Sequence, residues 1–232
     1  MNTLAPTQLL LGLQPPQEPG FDNFVVGDNR EAVGQVRALT TNRAATSLFL
    51  WGPTGCGKSH LLGAAMRATA SRRSCMCIDD ALDTTDFKLP PGSLVIADDV
   101  EQLSQDHQTL LFRIFNSARI AGLDILLSGS SPPLLLPLRE DLRTRIGQCL
   151  VLQLNPLTEA ERCAALQRHA QARGMQLDAS LVQYLMRHGR RDLPSLMAVL
   201  DHLDRLSLEQ KKHPSLPMLR ELLQSNFDFS AP

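Results

Sequence analysis

The sequence predicts an α/β protein: a parallel sheet flanked by helices over residues 21–156, then a small α-helical subdomain over 157–224. Three observations carry the prediction. Short, nearly uninterrupted apolar runs alternate with helical periodicity from Ser47 to Leu154, as parallel strands covered on both faces require. A glycine-rich stretch, GPTGCGKS at 52–59, sits between one such run and a helix. Beyond Pro156 the strand pattern stops and leucines recur at helical spacing alone.

The elements follow in order. SLFLW (47–51) reads as a buried strand, and KSHLLGAAMRATA (58–70) as a helix rich in good helix formers. CMCI (75–78), LVIAD (94–98), ILLS (125–128) and CLVLQL (149–154) supply further strands. Ser104 is placed to cap a helix in which Leu110, Leu111, Ile114, Phe115 and Ala118 share a face, and Gly122 to close it. In the helical half, Thr158 and Glu161 form a capping box, and Gly174 stands where that helix would end. Leu181, Tyr184 and Leu185 mark the next helix, Leu193 to Leu206 a third, and Leu216 to Leu223 a fourth. Asp192 followed by Pro194 is a helix start with the aspartate as cap.

Composition narrows the class. With 23 basic against 24 acidic residues and a net charge of −1, the chain lacks the strong basic excess of proteins that grip nucleic-acid backbone. Cys56, Cys75, Cys77, Cys149 and Cys163 are an odd, scattered set without metal-site spacing, and read as reduced thiols. The histidines form no ligand-spaced cluster. No apolar run approaches the ~18 residues of a membrane span. No Lys or Arg precedes Arg30, so the apolar start lacks the basic region of a secretion signal. A cytoplasmic protein is expected.

The stretch Gly52, Pro53, Thr54, Gly55, Cys56, Gly57, Lys58, Ser59 fits G-x-x-x-x-G-K-[ST] in its strand-to-helix context, with His60 next. Glycines let backbone N–H groups close around phosphates, and the helix N-terminus adds a favourable dipole. Lys58 would reach the β- and γ-phosphates, and the Ser59 hydroxyl would take magnesium. LVIADD (94–99) delivers acids from a strand end: Asp98 to hold the metal through water, Asp99 to orient an attacking water. A nucleotide with Mg is therefore the expected ligand, while the reaction and partner stay open.

These features together resemble AAA+ ATPases. The segment FDNFVVGDNREAV (21–33) and the Asp98–Asp99 pair make the chain similar to DnaA-type replication initiators in particular, over roughly residues 21–224. The resemblance implies that Phe24 and Val25 lie beside adenine and that 157–224 are a helical lid. DnaA continues into a DNA-reading domain, whereas eight residues (225–232) follow Gln224 here. Fifteen residues separate Ile78 from Leu94, so the elements that hold single-stranded DNA are not expected either. A module of this kind with an apolar tail resembles the regulatory inactivators of DnaA, which act with the DNA-loaded sliding clamp to make DnaA hydrolyse its ATP. That implies DnaA and the clamp as partners, contact with DNA only through the clamp, no membrane, and leaves self-association open.

The same resemblance assigns further residues. DLRTRIG (141–147) matches the region of the arginine finger, with Arg145 at its position and Arg143 and Arg139 as nearby alternatives. The finger would serve DnaA's ATP in trans. SGSSPP (128–133) matches the first sensor, with Ser130 where the relatives carry Asp. For the second sensor, leucine spacing points to Pro194 and the local Arg191-Asp192-Leu193 string to Arg191. If it is Pro194, hydrolysis at the protein's own site should be weak. An autonomous ATPase of loader type and a non-hydrolysing adaptor of the same family remain the alternatives.

Residues 1–20 read as a flexible tail, in which QLLLGL (8–13) precedes Pro15, Pro16 and Pro19. A clamp-binding tail needs short apolar anchors and one polar group to fix register. Leu9, Leu11 and Leu13 are the anchors and Gln8 the polar contact; packing against the protein's own body is the competing reading. The proline-rich stretch would then be a spacer that raises the local concentration of the body near the clamp.

Overall fold

The computed structural model describes residues 18–41, 46–79, 81–83, 89–190 and 192–225. Strands β1 (Ser47–Trp51), β2 (Cys75–Cys77), β3 (Leu94–Ala97), β4 (Asp124–Gly129) and β5 (Leu150–Gln153) form one sheet in the order β2-β3-β4-β1-β5. Every pairing is parallel. Each crossover must therefore return along a face of the sheet, and helices do so on both. Helices α1 (Arg30–Thr41) and α2 (Lys58–Ala70) pack with Leu48, Leu50, Leu94, Ile96 and Leu126. Helices α3 (Gln105–Ala121) and α4 (Glu140–Gly147) cover the alternate residues Phe49, Val95, Ala97, Ile125 and Leu127. The period of two is present in space although both faces are apolar in sequence.

Most boundaries follow the sequence expectations. The Ser104 hydroxyl accepts from His107 N at the start of α3, and Gly122 ends it in the left-handed region. Three features differ. β2 and β5 form the sheet edges, so β2 is only half-buried and Leu150 at the start of β5 is 42% exposed. Helix α1 lay unread within 21–33 and beyond. The chain also meets the body earlier than the tail reading placed it: Pro19 lies 3.0 Å from where a Gly63 Cβ would stand.

A buried ion pair was also missed. Asp124 opens the central strand β4 fully buried, where it pairs with Arg73 and accepts from Thr46 N at 2.7 Å. Arg73 also donates to Gly92 O at 3.0 Å and Leu39 O at 2.7 Å. The cluster ties the end of α2 to α1 and to the strand-start edge of the sheet.

The described chain divides into two compact units, Pro19–Arg162 and one that contains residues 163–225. In the second, α5 (Glu159–Ala172), α6 (Ala179–His188), α7 (Leu193–Gln210) and α8 (Leu216–Ser225) enclose a core of Leu166, Leu185, Leu196, Leu203 and Leu219. The capping box before α5 is reciprocal: Glu161 N donates to Thr158 Oγ1 and Thr158 N to Glu161 Oε2. Asp192 caps α7 through Ser195 N at 2.9 Å, with Pro194 in the first turn. No helix among the described residues is long and apolar enough to cross a membrane.

Candidate functional site

Parallel strands deliver all their C-terminal loops to one edge, and the candidate site is assembled there. β1 runs into Gly52, whose added Cβ would stand 2.4 Å from Leu154 O and 2.9 Å from Cys56 Sγ. Only glycine fits that approach. Its N–H donates to Gly129 O at 3.3 Å, joining the ends of β1 and β4. Gly55 and Gly57 hold φ of +81° and +104°. The turn exposes Pro53, Thr54, Gly55 and Ser59 and tucks Cys56 into the core beneath. Burial pushes the Cys56 thiol up, so it stays a neutral packing group.

Gly57 caps α2 without a side-chain hydrogen bond, which leaves first-turn N–H groups for an anion. Lys58, 7% exposed, donates from Nζ to Gly52 O at 3.0 Å and stands 3.8 Å from Asp99 Oδ1. A buried ammonium, uncapped amides and two left-handed glycines in one exposed turn fit the phosphates of a nucleotide.

The acids follow β3. Asp99 adopts φ +41° and ψ 61°, a left-handed conformation rare for a side-chain-bearing residue. Its N–H donates to Ser128 Oγ at 2.9 Å, and Ser128 Oγ donates to Asp98 Oδ1. One fully buried hydroxyl at the end of β4 thus holds both consecutive acids. Burial first, then the charge of Asp98, raise the Asp99 carboxyl above its ordinary value, against the pull of Lys58. Ser130 contributes differently: its side chain is exposed and its N–H donates to Glu101 Oε1 at 2.7 Å. Ser128 was not singled out from sequence. The available signal was a polar residue ending an otherwise apolar buried strand.

Phe24 and His60 meet beside Gly57 of the cradle. The Phe24 ring covers Gly57, whose Cβ would fall 2.7 Å from Phe24 Cε2. Phe24 and His60 ring centroids lie 5.4 Å apart, tilted by 59°. Val25 is half-buried beside them in sequence. Asn29 anchors the segment by exchanging hydrogen bonds with the backbone of Asn155, donating at 3.0 Å and accepting at 2.7 Å.

Arg145 is not part of this cluster. It lies in the last turn of α4, which runs back against the strand direction to β5, whose Leu150 pairs with Leu48 at the start of β1. The length of β1, ~16 Å at ~3.3 Å per residue, separates that edge from the phosphate cradle. The Arg145 guanidinium donates to Asn116 Oδ1 at 2.8 Å on α3. Arg139 is engaged with Asp141 at 2.7 Å and Thr109 at 3.2 Å, while Arg143 is half-buried. Arg191 and the tail residues Gln8, Leu9, Leu11 and Leu13 lie outside the described residues. Ser59 is exposed in the turn and Asp98 follows β3 beside Asp99; among the described residues there is no group of three or more His, Cys, Asp or Glu that could hold a metal ion.

Known proteins share this fold. A family model for the bacterial DnaA ATPase domain matches residues 16–79, and one for the Hda lid domain matches residues 159–223; together they span more than half of the chain. Domain III of the Thermotoga maritima replication initiation protein DnaA is 23% identical, with a TM-score of 0.74 over 91% of this chain and 98% of that one. AMPPCP-bound DnaA from Aquifex aeolicus is 21% identical, with a TM-score of 0.68 over 90% and 70% of the two chains. A variant of Thermotoga maritima RuvB is 15% identical, with a TM-score of 0.68 over 89% and 72%. At these identities the structural likeness is one of fold.

Proposed function

Because the chain belongs to the DnaA/Hda family of AAA+ proteins, we propose that it binds adenine nucleotide and regulates replication initiation through DnaA. In this reading ADP or ATP sits in the 52–59 turn, with Lys58 on its phosphates and Phe24 and Val25 beside its base. Ser59 and Asp98 would hold Mg, which supplies charge neutralisation on the phosphates when bound. Gln8, Leu9, Leu11 and Leu13 dock on the DNA-loaded sliding clamp, and Arg145 stabilises the charge that develops on DnaA's ATP as it is hydrolysed to ADP.

The observation that carries this reading is the placement of Arg145 at the sheet edge opposite the protein's own phosphate cradle. A guanidinium there can serve a second molecule's nucleotide and not its own. The experiment follows ATP hydrolysis by DnaA with clamp and DNA present. The protein should accelerate it, and Arg145→Ala should abolish the acceleration, since such fingers are worth about 10³–10⁵ in rate. Stimulation that survives Arg145→Ala would refute the mechanism and favour an adaptor. Gln8→Ala with Leu11→Ala should remove clamp binding and leave nucleotide binding intact.

One observation favours a second reading. Lys58, Asp98, Asp99 and Ser128 meet in a single site, which is the equipment of an autonomous ATPase. Turnover by the protein alone, lost in Asp99→Asn, would establish that reading in place of the first.

A further inference from the structure

We infer that His60 is the clasp that seats a strap, residues 19–24, on the nucleotide cradle, and that bound nucleotide tightens the clasp. The inference rests on the nucleotide-binding part of the reading above. His60 follows Lys58 and Ser59 in the first turn of α2, and its ring bonds to the 19–24 segment. Nε2 lies 3.0 Å from Gly20 O, 3.0 Å from Asn23 Oδ1 and 3.3 Å from Gly20 N. Two acceptors at the shorter distance place the proton on Nε2, and Gly20 N is satisfied by Asn23 Oδ1 at 2.9 Å.

His60 does not act alone. Gly63 and Arg67 follow at the spacing that keeps residues on one helix face. Gly63 leaves room for the Pro19 ring, and Arg67 donates to Pro19 O at 3.2 Å. The stripe His60, Gly63, Arg67 is thus a seat for the strap along the helix whose N-terminus faces the phosphates. At its far end the strap presents Phe24 to both His60 and Gly57. Nucleotide binding and strap closure both involve Gly57 and the first turn of α2, which couples them; because closure also brings Phe24 to the base side of the cradle, it adds contacts to the bound nucleotide, and each favours the other. His60 is a positioning residue: it sets the base-side wall through Phe24.

Hydrogen exchange on the full chain, with and without ADP, tests the coupling, alongside affinities for ADP and for inorganic pyrophosphate. ADP should slow exchange across residues 19–24 by about tenfold, the scale of one or two net hydrogen bonds. His60→Ala and Asn23→Ala should each weaken ADP by about tenfold and leave pyrophosphate within about twofold. The double variant should be no weaker than the weaker single one, because both cut the same clasp. Exchange unchanged by ADP that demonstrably binds, additive losses, or an equal loss of pyrophosphate would each overturn the inference. Asn23 is exposed on the strap, so that variant decides the matter if His60→Ala perturbs α2. Failure of the unaltered protein to bind ADP would instead overturn the nucleotide reading itself.

Discussion

Gly57→Ala tests the cradle through two separable costs. Gly57 holds φ +104°, where a side chain is strained by about 1–2 kcal/mol. The new Cβ would also fall 2.7 Å from Phe24 Cε2 and 3.2 Å from Cζ. The ring must shift to make room, and overpacking of this kind costs about 1–3 kcal/mol. The variant should therefore lose about 2–5 kcal/mol in denaturant unfolding and bind ADP more weakly. In a Phe24→Ala background the clash is gone and only the backbone cost remains, so a double-mutant cycle should return a coupling of about 1–3 kcal/mol. A coupling below about 0.5 kcal/mol would mean the Phe24 ring is not seated on Gly57.

Arg73→Met strands the fully buried Asp124 and empties the bonds to Leu39 O and Gly92 O. It should cost about 3–5 kcal/mol in urea unfolding, and a cost under about 1 kcal/mol would contradict the buried pair. ADP affinity should hold, because this cluster lies at the strand-start edge. Asp99 carries a carboxyl raised above 3.8, so its contribution to stability is complete below 3.8 and is lost as pH rises through the raised value. Asp99→Asn should gain on the unaltered protein over that window in unfolding experiments; a gap that stays flat with pH rejects the placement. Asp192→Ala removes the α7 cap and should cost about 1 kcal/mol by thermal melting.

What could be read from sequence was chemistry confined to neighbours along the chain. The 52–59 turn between β1 and α2 is legible because its glycines, Lys58 and Ser59 lie within eight residues. The helix caps at Ser104, Thr158 and Asp192 are legible for the same reason, since cap and partner sit three residues apart. Arg73 and Asp124 are 51 residues apart, and Asn29 and Asn155 126 apart, with no local pattern to announce either pairing. Ser128 falls between these cases. Its strand was read correctly, but which of three nearby serines meets the acids depends on where β3 and β4 end relative to each other. Parallel register decides that, and it pairs Ala97 with Leu127, one residue before Asp98 and Ser128 respectively.

The same register bears on the proposal that one chain carries both a nucleotide cradle and a finger it cannot use on itself. Parallel strands send the 52–59 turn, Asp98, Asp99 and Ser128 to one edge of the sheet. Helix α4 must then return to start β5, and it carries Arg145 to the other edge. Neither placement can change without reversing a strand. If Arg145 is the finger proposed above, cradle and finger become complementary only between two molecules stacked head to tail, a heterologous contact rather than a self-complementary one. In the proposed complex with DnaA this geometry leaves the protein's own nucleotide outside the shared contact. Its effect on the finger must then pass through the fold, and the Asn116–Arg145 bond between α3 and α4 is the contact whose loss would separate finger placement from finger chemistry.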